Sequence, residues 1–85
     1  MKLFYHRTFK KQYKKLNKKE LEKLKEQIRI FEKEPFHQCL NNHALKGKYM
    51  NHRSINIAGD LRVIYKSYNN GVMFTDIGTH SELYG

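Results

Sequence analysis

Acidic residues are scarce in this chain, and so are cysteine, proline, glycine and long apolar runs. Its 85 residues hold one cysteine, one proline, five glycines and no tryptophan. The lone Cys39 cannot close an internal disulfide, which excludes a cystine-stapled scaffold and fits a reducing cytoplasm. Cys39 with His37 and His43 suggests zinc only superficially, because paired-cysteine spacing and a full ligand set are missing. No metal and no cofactor are therefore expected. No apolar stretch approaches the ~20 residues that span a bilayer, so no membrane partner is expected either. Met1-Lys2-Leu3-Phe4-Tyr5-His6-Arg7 lacks the apolar stretch and small-residue cleavage site of a signal peptide. No repeat, low-complexity tract or linker divides residues 1–85, and the length allows one domain. Such a domain buries roughly 60–65% of the surface its unfolded chain exposes.

Positive charge is abundant. Seventeen Lys+Arg against eight Asp+Glu give a net charge of +9, and residues 1–34 carry twelve of the bases with five Glu. A field of that sign concentrates polyanions and steers their association, so nucleic acid, anionic lipid or an acidic protein are the candidate partners. The plain alternative is a set of solvated helix faces kept soluble by lysine.

The pattern along the chain predicts a short strand over residues 1–6. Thr8 is placed to cap a first helix in which Phe9, Tyr13 and Leu16 share a face. Asn17-Lys18-Lys19-Glu20 resembles a capping box and opens a second helix with the stripe Leu21, Leu24, Ile28, Phe31. Pro35 ends it, because the residue before proline is pushed out of the α region. The apolar stripes of this pair are better used as core cover than on a membrane surface. Residues 35–51 show no period and read mostly as loop. Three strands follow: Arg53 to Ala58, Leu61 to Ser67, and Val72 to Ile77. Gly59-Asp60 and Asn69-Asn70-Gly71 are the hairpin turns between them. The order β-α-α-β-β-β predicts an α+β domain, with two helices packed on a twisted, mainly antiparallel sheet. Alternation puts Arg62 and Lys66 on one sheet face, opposite Val63 and Tyr65, and Ile55 and Ile57 opposite Ser54 and Asn56.

Cleaving RNA without a metal uses the ribose 2′-hydroxyl as nucleophile. It needs a base near that hydroxyl, an acid for the leaving 5′-oxygen, and cations on the phosphate. Histidine suits both proton roles and arginine the third. The segments His43-Ala44-Leu45-Lys46-Gly47-Lys48-Tyr49, Gly59-Asp60-Leu61-Arg62-Val63-Ile64-Tyr65-Lys66 and Ile77-Gly78-Thr79-His80-Ser81-Glu82-Leu83-Tyr84-Gly85 hold those residue types. Each has an ordinary explanation too: loop or surface histidines, a turn aspartate, exposed strand arginines, an apolar anchor at Tyr84.

Those three segments resemble the RelE/ParE superfamily of toxins from type II toxin–antitoxin pairs, and within it the YafQ branch. The resemblance is specific over residues 43–85 and topological over residues 1–42. It implies a RelE-like fold and a ribosome-dependent endoribonuclease, an mRNA interferase, that cuts messenger RNA in the A site and so inhibits translation. His80, His43 and Asp60 would be its proton-transfer residues and Arg62 its phosphate cation. Lys46, Lys48, Arg53 and Tyr84 would contact RNA near the cut, and Lys10, Lys14 and Lys18 on the basic helices would contact ribosomal RNA. The implied partners are the ribosome, its mRNA and a cognate acidic antitoxin, alone or in a higher-order toxin–antitoxin complex.

Two positions depart from the branch. Asn56 stands where it has a second central histidine, and Asp76 stands where it has an arginine. On this pattern Arg62 supplies the missing cation from the adjacent strand. Two other classes stay open: a ParE-like DNA gyrase inhibitor, and a catalytically weak homologue that holds RNA.

Overall fold

The structure, a computed structural model describing residues 1–85, begins with strand β1 (Lys2–Tyr5) and helices α1 (Arg7–Tyr13) and α2 (Lys18–Lys33). Strands β2 (His43–Ala44), β3 (Arg53–Ala58), β4 (Leu61–Tyr68) and β5 (Gly71–Thr79) follow, and α3 (His80–Tyr84) comes last. The five strands form one sheet in the order β1-β5-β4-β3-β2. β1 runs parallel to β5, and every other pairing is antiparallel. This is the expected α+β architecture, with β2 and α3 added to the predicted order.

The local rules explain most of the elements. Asn17 and Glu20 form a reciprocal capping box: Glu20 N–H donates to Asn17 Oδ1 at 2.8 Å, and Asn17 N–H donates to Glu20 Oε1 at 2.9 Å. α1 starts earlier than Thr8 predicts, because His6 is its cap; Thr8 N–H donates to His6 Nδ1 at 3.0 Å. Gly59 adopts φ +51, as the first loop residue of a type II′ hairpin requires, so here glycine precedes the aspartate. Asn69 and Asn70 both take positive φ and make the second turn by themselves. Gly71 already belongs to β5, where any Cβ would strike the Lys2 carbonyl oxygen of β1.

Residues 35–51 are more ordered than their lack of period predicts. They hold short 3-10 turns at Gln38–Leu40 and Gly47–Tyr49, with β2 between them paired to β3. Side-chain bonds across sequence provide that order: Asn42 Nδ2 donates to Pro35 O at 2.8 Å and Tyr65 Oη at 2.7 Å.

The core lies between the two long helices and one face of the sheet. Phe9, Leu24 and Phe31 meet Ile55, Ile57, Leu61, Val63, Tyr65, Phe74 and Ile77 there. Each such side chain contributes about 1.5–3 kcal/mol on burial. Two glutamines join the helices to the strands. Gln27, buried within the α2 stripe, donates to Asn56 O at 3.0 Å. Gln12 Oε1 accepts from Ile77 N–H at 2.8 Å, completing the β5 edge beyond the end of β1. The other sheet face is left free of these helices. No helix is long and apolar enough to cross a membrane.

Candidate functional site

Strand alternation sorts the sheet's residues into a core face and an opposite face. Ser54, Asn56, Arg62, Ile64 and Asp76 belong to the opposite face, because directly paired residues share a face. Two cross-strand rows define it: His43, Ser54, Ile64 and Asp76 pair in sequence, and beside them Asn56, Arg62 and Gly78. Gly78 has no side chain, and a Cβ there would lie 3.3–3.4 Å from carbons of Glu82 and Leu83. That gap lets α3 fold back across the sheet. The result is an open cleft of about 410 Å³ lined by Asn41, His43, Leu45, Arg62, His80 and Tyr84.

His43 enters the cleft from β2. Its Nδ1 lies 2.8 Å from Asn41 O, and a carbonyl only accepts, so Nδ1 carries the proton of that bond. Asn41 presents its carbonyl from a left-handed conformation, φ +46, which asparagine tolerates better than most residues.

His80 is exposed and is the first residue of α3. Its turn is held by a second capping box, with Thr79 N–H donating to Glu82 Oε1 at 2.8 Å and Glu82 N–H to Thr79 Oγ1 at 3.3 Å. The Thr79 backbone hydrogen bond, followed by its hydroxyl, holds the Glu82 carboxyl below its ordinary range. Asp60 Oδ2 accepts from His80 N–H at 3.3 Å, so the β3–β4 turn is tied to the start of α3. The other oxygen, Oδ1, is 3.9 Å from Arg62 Nε. That is an ion-pair distance, too long for a hydrogen bond.

Arg62 Nε and Ser54 Oγ are the two buried side-chain polar atoms without a hydrogen-bond partner, and both lie on this face. Leaving a buried guanidinium N–H unmatched is costly; the rest of the Arg62 side chain is 26% exposed, and a guanidinium there can meet an anion by charge-assisted bonds. The Tyr84 ring packs 4.8 Å from the His80 ring, and it remains 38% exposed, enough to offer a face to a base. No three His, Cys, Asp or Glu side chains gather in an arrangement able to hold a metal.

Of the expected site residues, His43, Arg62, His80 and Tyr84 share the cleft and Asp60 stands at its rim. Lys46 and Lys48 are exposed on the neighbouring Gly47–Tyr49 turn, with Lys48 Nζ 5.2 Å from the Tyr49 ring centroid. Arg53 is not brought to the cleft. It shares the face of Ile55, donates from Nε to Asn42 Oδ1 at 2.7 Å and lies 5.1 Å from the Phe36 ring. Lys10, Lys14 and Lys18 sit on the helices covering the far face, and Lys10 and Lys14 edge a groove lined by Tyr5, Phe9, Tyr13, Leu24 and Ile28. Asn56 and Asp76 both lie on the cleft's face, Asn56 directly opposite Arg62. The sequence gives no sign of Asn41 or Asn42, whereas Thr79-His80-Ser81-Glu82 carries a readable capping-box signature for α3.

The model of the family described as bacterial toxin of type II toxin-antitoxin system, YafQ, matches residues 1–85. Among solved structures, YafQ from E. coli strain BL21(DE3) is 24% identical with a TM-score of 0.84, covering 99% of this chain and 98% of that one. The E. coli DinJ–YafQ toxin-antitoxin complex gives 25% identity and 0.82, over 99% and 97%. A copper-bound point mutant of a Helicobacter pylori toxin gives 27% and 0.73, over 99% of each chain. No curated protein sequence matches the chain.

Proposed function

Because the chain belongs to the YafQ family of bacterial toxins of type II toxin–antitoxin systems, we propose that it is a ribosome-dependent, metal-free endoribonuclease. It cuts messenger RNA in the A site, and the cleft between β2, β4 and α3 is where it does so. The observation that carries this is the convergence of His43, Arg62 and His80 on one cleft from three separate elements. Two imidazoles and an arginine are the minimum that 2′-hydroxyl transesterification asks for.

One imidazole takes the proton of the ribose 2′-hydroxyl as that oxygen attacks the adjacent phosphorus. The other gives its proton to the departing 5′-oxygen. The products are a 2′,3′-cyclic phosphate and a 5′-hydroxyl, and no external reagent is consumed. Arg62, whose partly exposed guanidinium lines the cleft, grips the phosphate as its charge grows. Asp60 keeps the β3–β4 turn and α3 in register around it. Tyr84 offers a stacking face for a flanking base, worth about 1–3 kcal/mol.

The helical hairpin carries most of the positive charge and fits ribosomal RNA, contacted through phosphates without regard to sequence. The same charge suits an acidic antitoxin, and an antitoxin partner is supported by the E. coli DinJ–YafQ toxin-antitoxin complex. A second reading, a catalytically weak RNA-holding toxin, is favoured by Asn56 and Asp76 on the cleft's own face. Cleavage of mRNA on programmed ribosomes in EDTA, with end mapping, decides between them. The nuclease gives 5′-hydroxyl downstream ends, and the weak homologue leaves the message intact while still binding.

A further inference from the structure

We propose, on the basis of that nuclease reading, that Tyr49 is a positioning residue for His80: it props the short helix α3 from below and sets the angle of the imidazole through Tyr84. α3 has only five residues, and a helix that short does not persist by itself in water. Its first turn is held by the Thr79–Glu82 box and by Asp60. Its last carbonyls have no partners within the helix. Tyr49 supplies one, its phenol donating to Leu83 O at 3.3 Å.

The ring does a second job. Tyr49 meets Tyr84 edge-on, at 5.6 Å and 88°, and Tyr84 in turn rests against His80 at 4.8 Å. Edge-on aromatic pairs add about 0.5–1.5 kcal/mol beyond burial, enough to select one ring orientation among several. Tyr49 is itself fixed. It closes the Gly47–Tyr49 turn, where Gly47 takes φ +63, and His52 N–H donates to Tyr49 O at 3.0 Å. The His52 ring lies 5.9 Å away, and the Lys48 ammonium stands 5.2 Å from the Tyr49 ring centroid. Burial first, then Asp76 and Tyr84, raise the phenol's pKa. The basic turn carrying Lys46 and Lys48 and the helix carrying His80 are thereby joined through one side chain.

The test compares Tyr49→Ala and Tyr49→Phe with the natural chain by NMR of the His80 ring and by cleavage on programmed ribosomes. Tyr49→Ala should shift the His80 ring protons, since the Tyr84 ring current that falls on them moves. It should lower kcat by about 10²-fold, the order expected of an ångström-scale misplacement, while KM changes little. Tyr49→Phe keeps the edge-on ring and loses the hydroxyl. It should retain most of kcat while amide exchange at Glu82 and Gly85 quickens, and it serves as the readout should the alanine variant fail to fold. Natural His80 shifts in Tyr49→Ala, with or without a loss of kcat, would overturn the positioning role. Natural kcat in a variant whose His80 shifts have moved would overturn it too. If the natural chain cleaves nothing, the nuclease reading fails, and moved His80 shifts would still uphold the prop.

Discussion

In the proposed reaction Arg62 is the phosphate cation, and its buried Nε has no hydrogen-bond acceptor within the protein. A contact that strengthens as phosphate charge develops acts on turnover rather than on affinity. Arg62→Ala should therefore lower kcat far more than it weakens RNA binding, measured by single-turnover cleavage beside a binding titration. Equal losses would make it an ordinary binding residue. Asn42 belongs to the same loop as His43 and holds it differently, through bonds to Pro35, Tyr65 and Arg53. Asn42→Ala takes away the Tyr65 hydroxyl's donor and the acceptor of Arg53 Nε, at a cost of about 1–3 kcal/mol that urea unfolding should read. At this scale the motif segments singled out His43, Asp60, Arg62, His80 and Tyr84, and the fold brings four of them into one cleft with Asp60 tied to the start of α3 beside it. Arg53 stands apart from them: alternation, readable in the sequence, places it with Ile55 on the core face, where Asn42 and Phe36 meet it. Asn41 and Asn42 escaped because their work is set by backbone conformation and by partners far along the chain.

Helix α3 is the element that ties local chemistry to stability. Its capping carboxylate, Glu82, has a folded pKa below its unfolded one, so the folded state binds fewer protons through that window. The stabilisation is present above the ordinary carboxylate range and is lost as pH falls through the lowered folded value. Amide exchange in α3 should quicken on acidification before the β-sheet amides respond. Uniform exchange across α3 and the sheet would remove the box from the account. The hairpins were readable because Gly59-Asp60 and Asn69-Asn70 are turn residues with positive φ where the turns demand it. β2 was not readable, since two residues carry no period; its pairing with β3 depends on the Asn42 anchor. The α1 cap fell to His6 rather than Thr8 because an imidazole nitrogen accepts the Thr8 N–H that an upstream serine or aspartate would otherwise take.

Across the whole molecule, charge and chemistry are segregated. The helical hairpin that holds Lys10, Lys14 and Lys18 covers one face of the sheet, and the cleft opens on the other. Ribosome binding should therefore weaken steeply with salt, by about 0.7–0.9 in log-log slope per phosphate neutralised. Charge reversal at Lys10, Lys14 and Lys18 should flatten that slope without unfolding the chain; a salt-independent affinity would take electrostatics out of the picture. The central claim is narrower, that His80 in this cleft cuts RNA. Its most direct test is end-mapped mRNA cleavage on programmed ribosomes in EDTA by the natural chain and by His80→Ala. An exposed residue of this kind seldom costs more than ~0.5 kcal/mol of stability, so the variant should fold and still bind antitoxin. The account predicts 5′-hydroxyl fragments from the natural chain and none from His80→Ala, with growth arrest lost alongside. Persistent arrest by His80→Ala with the message intact would contradict it and point to gyrase or to a target that is only bound.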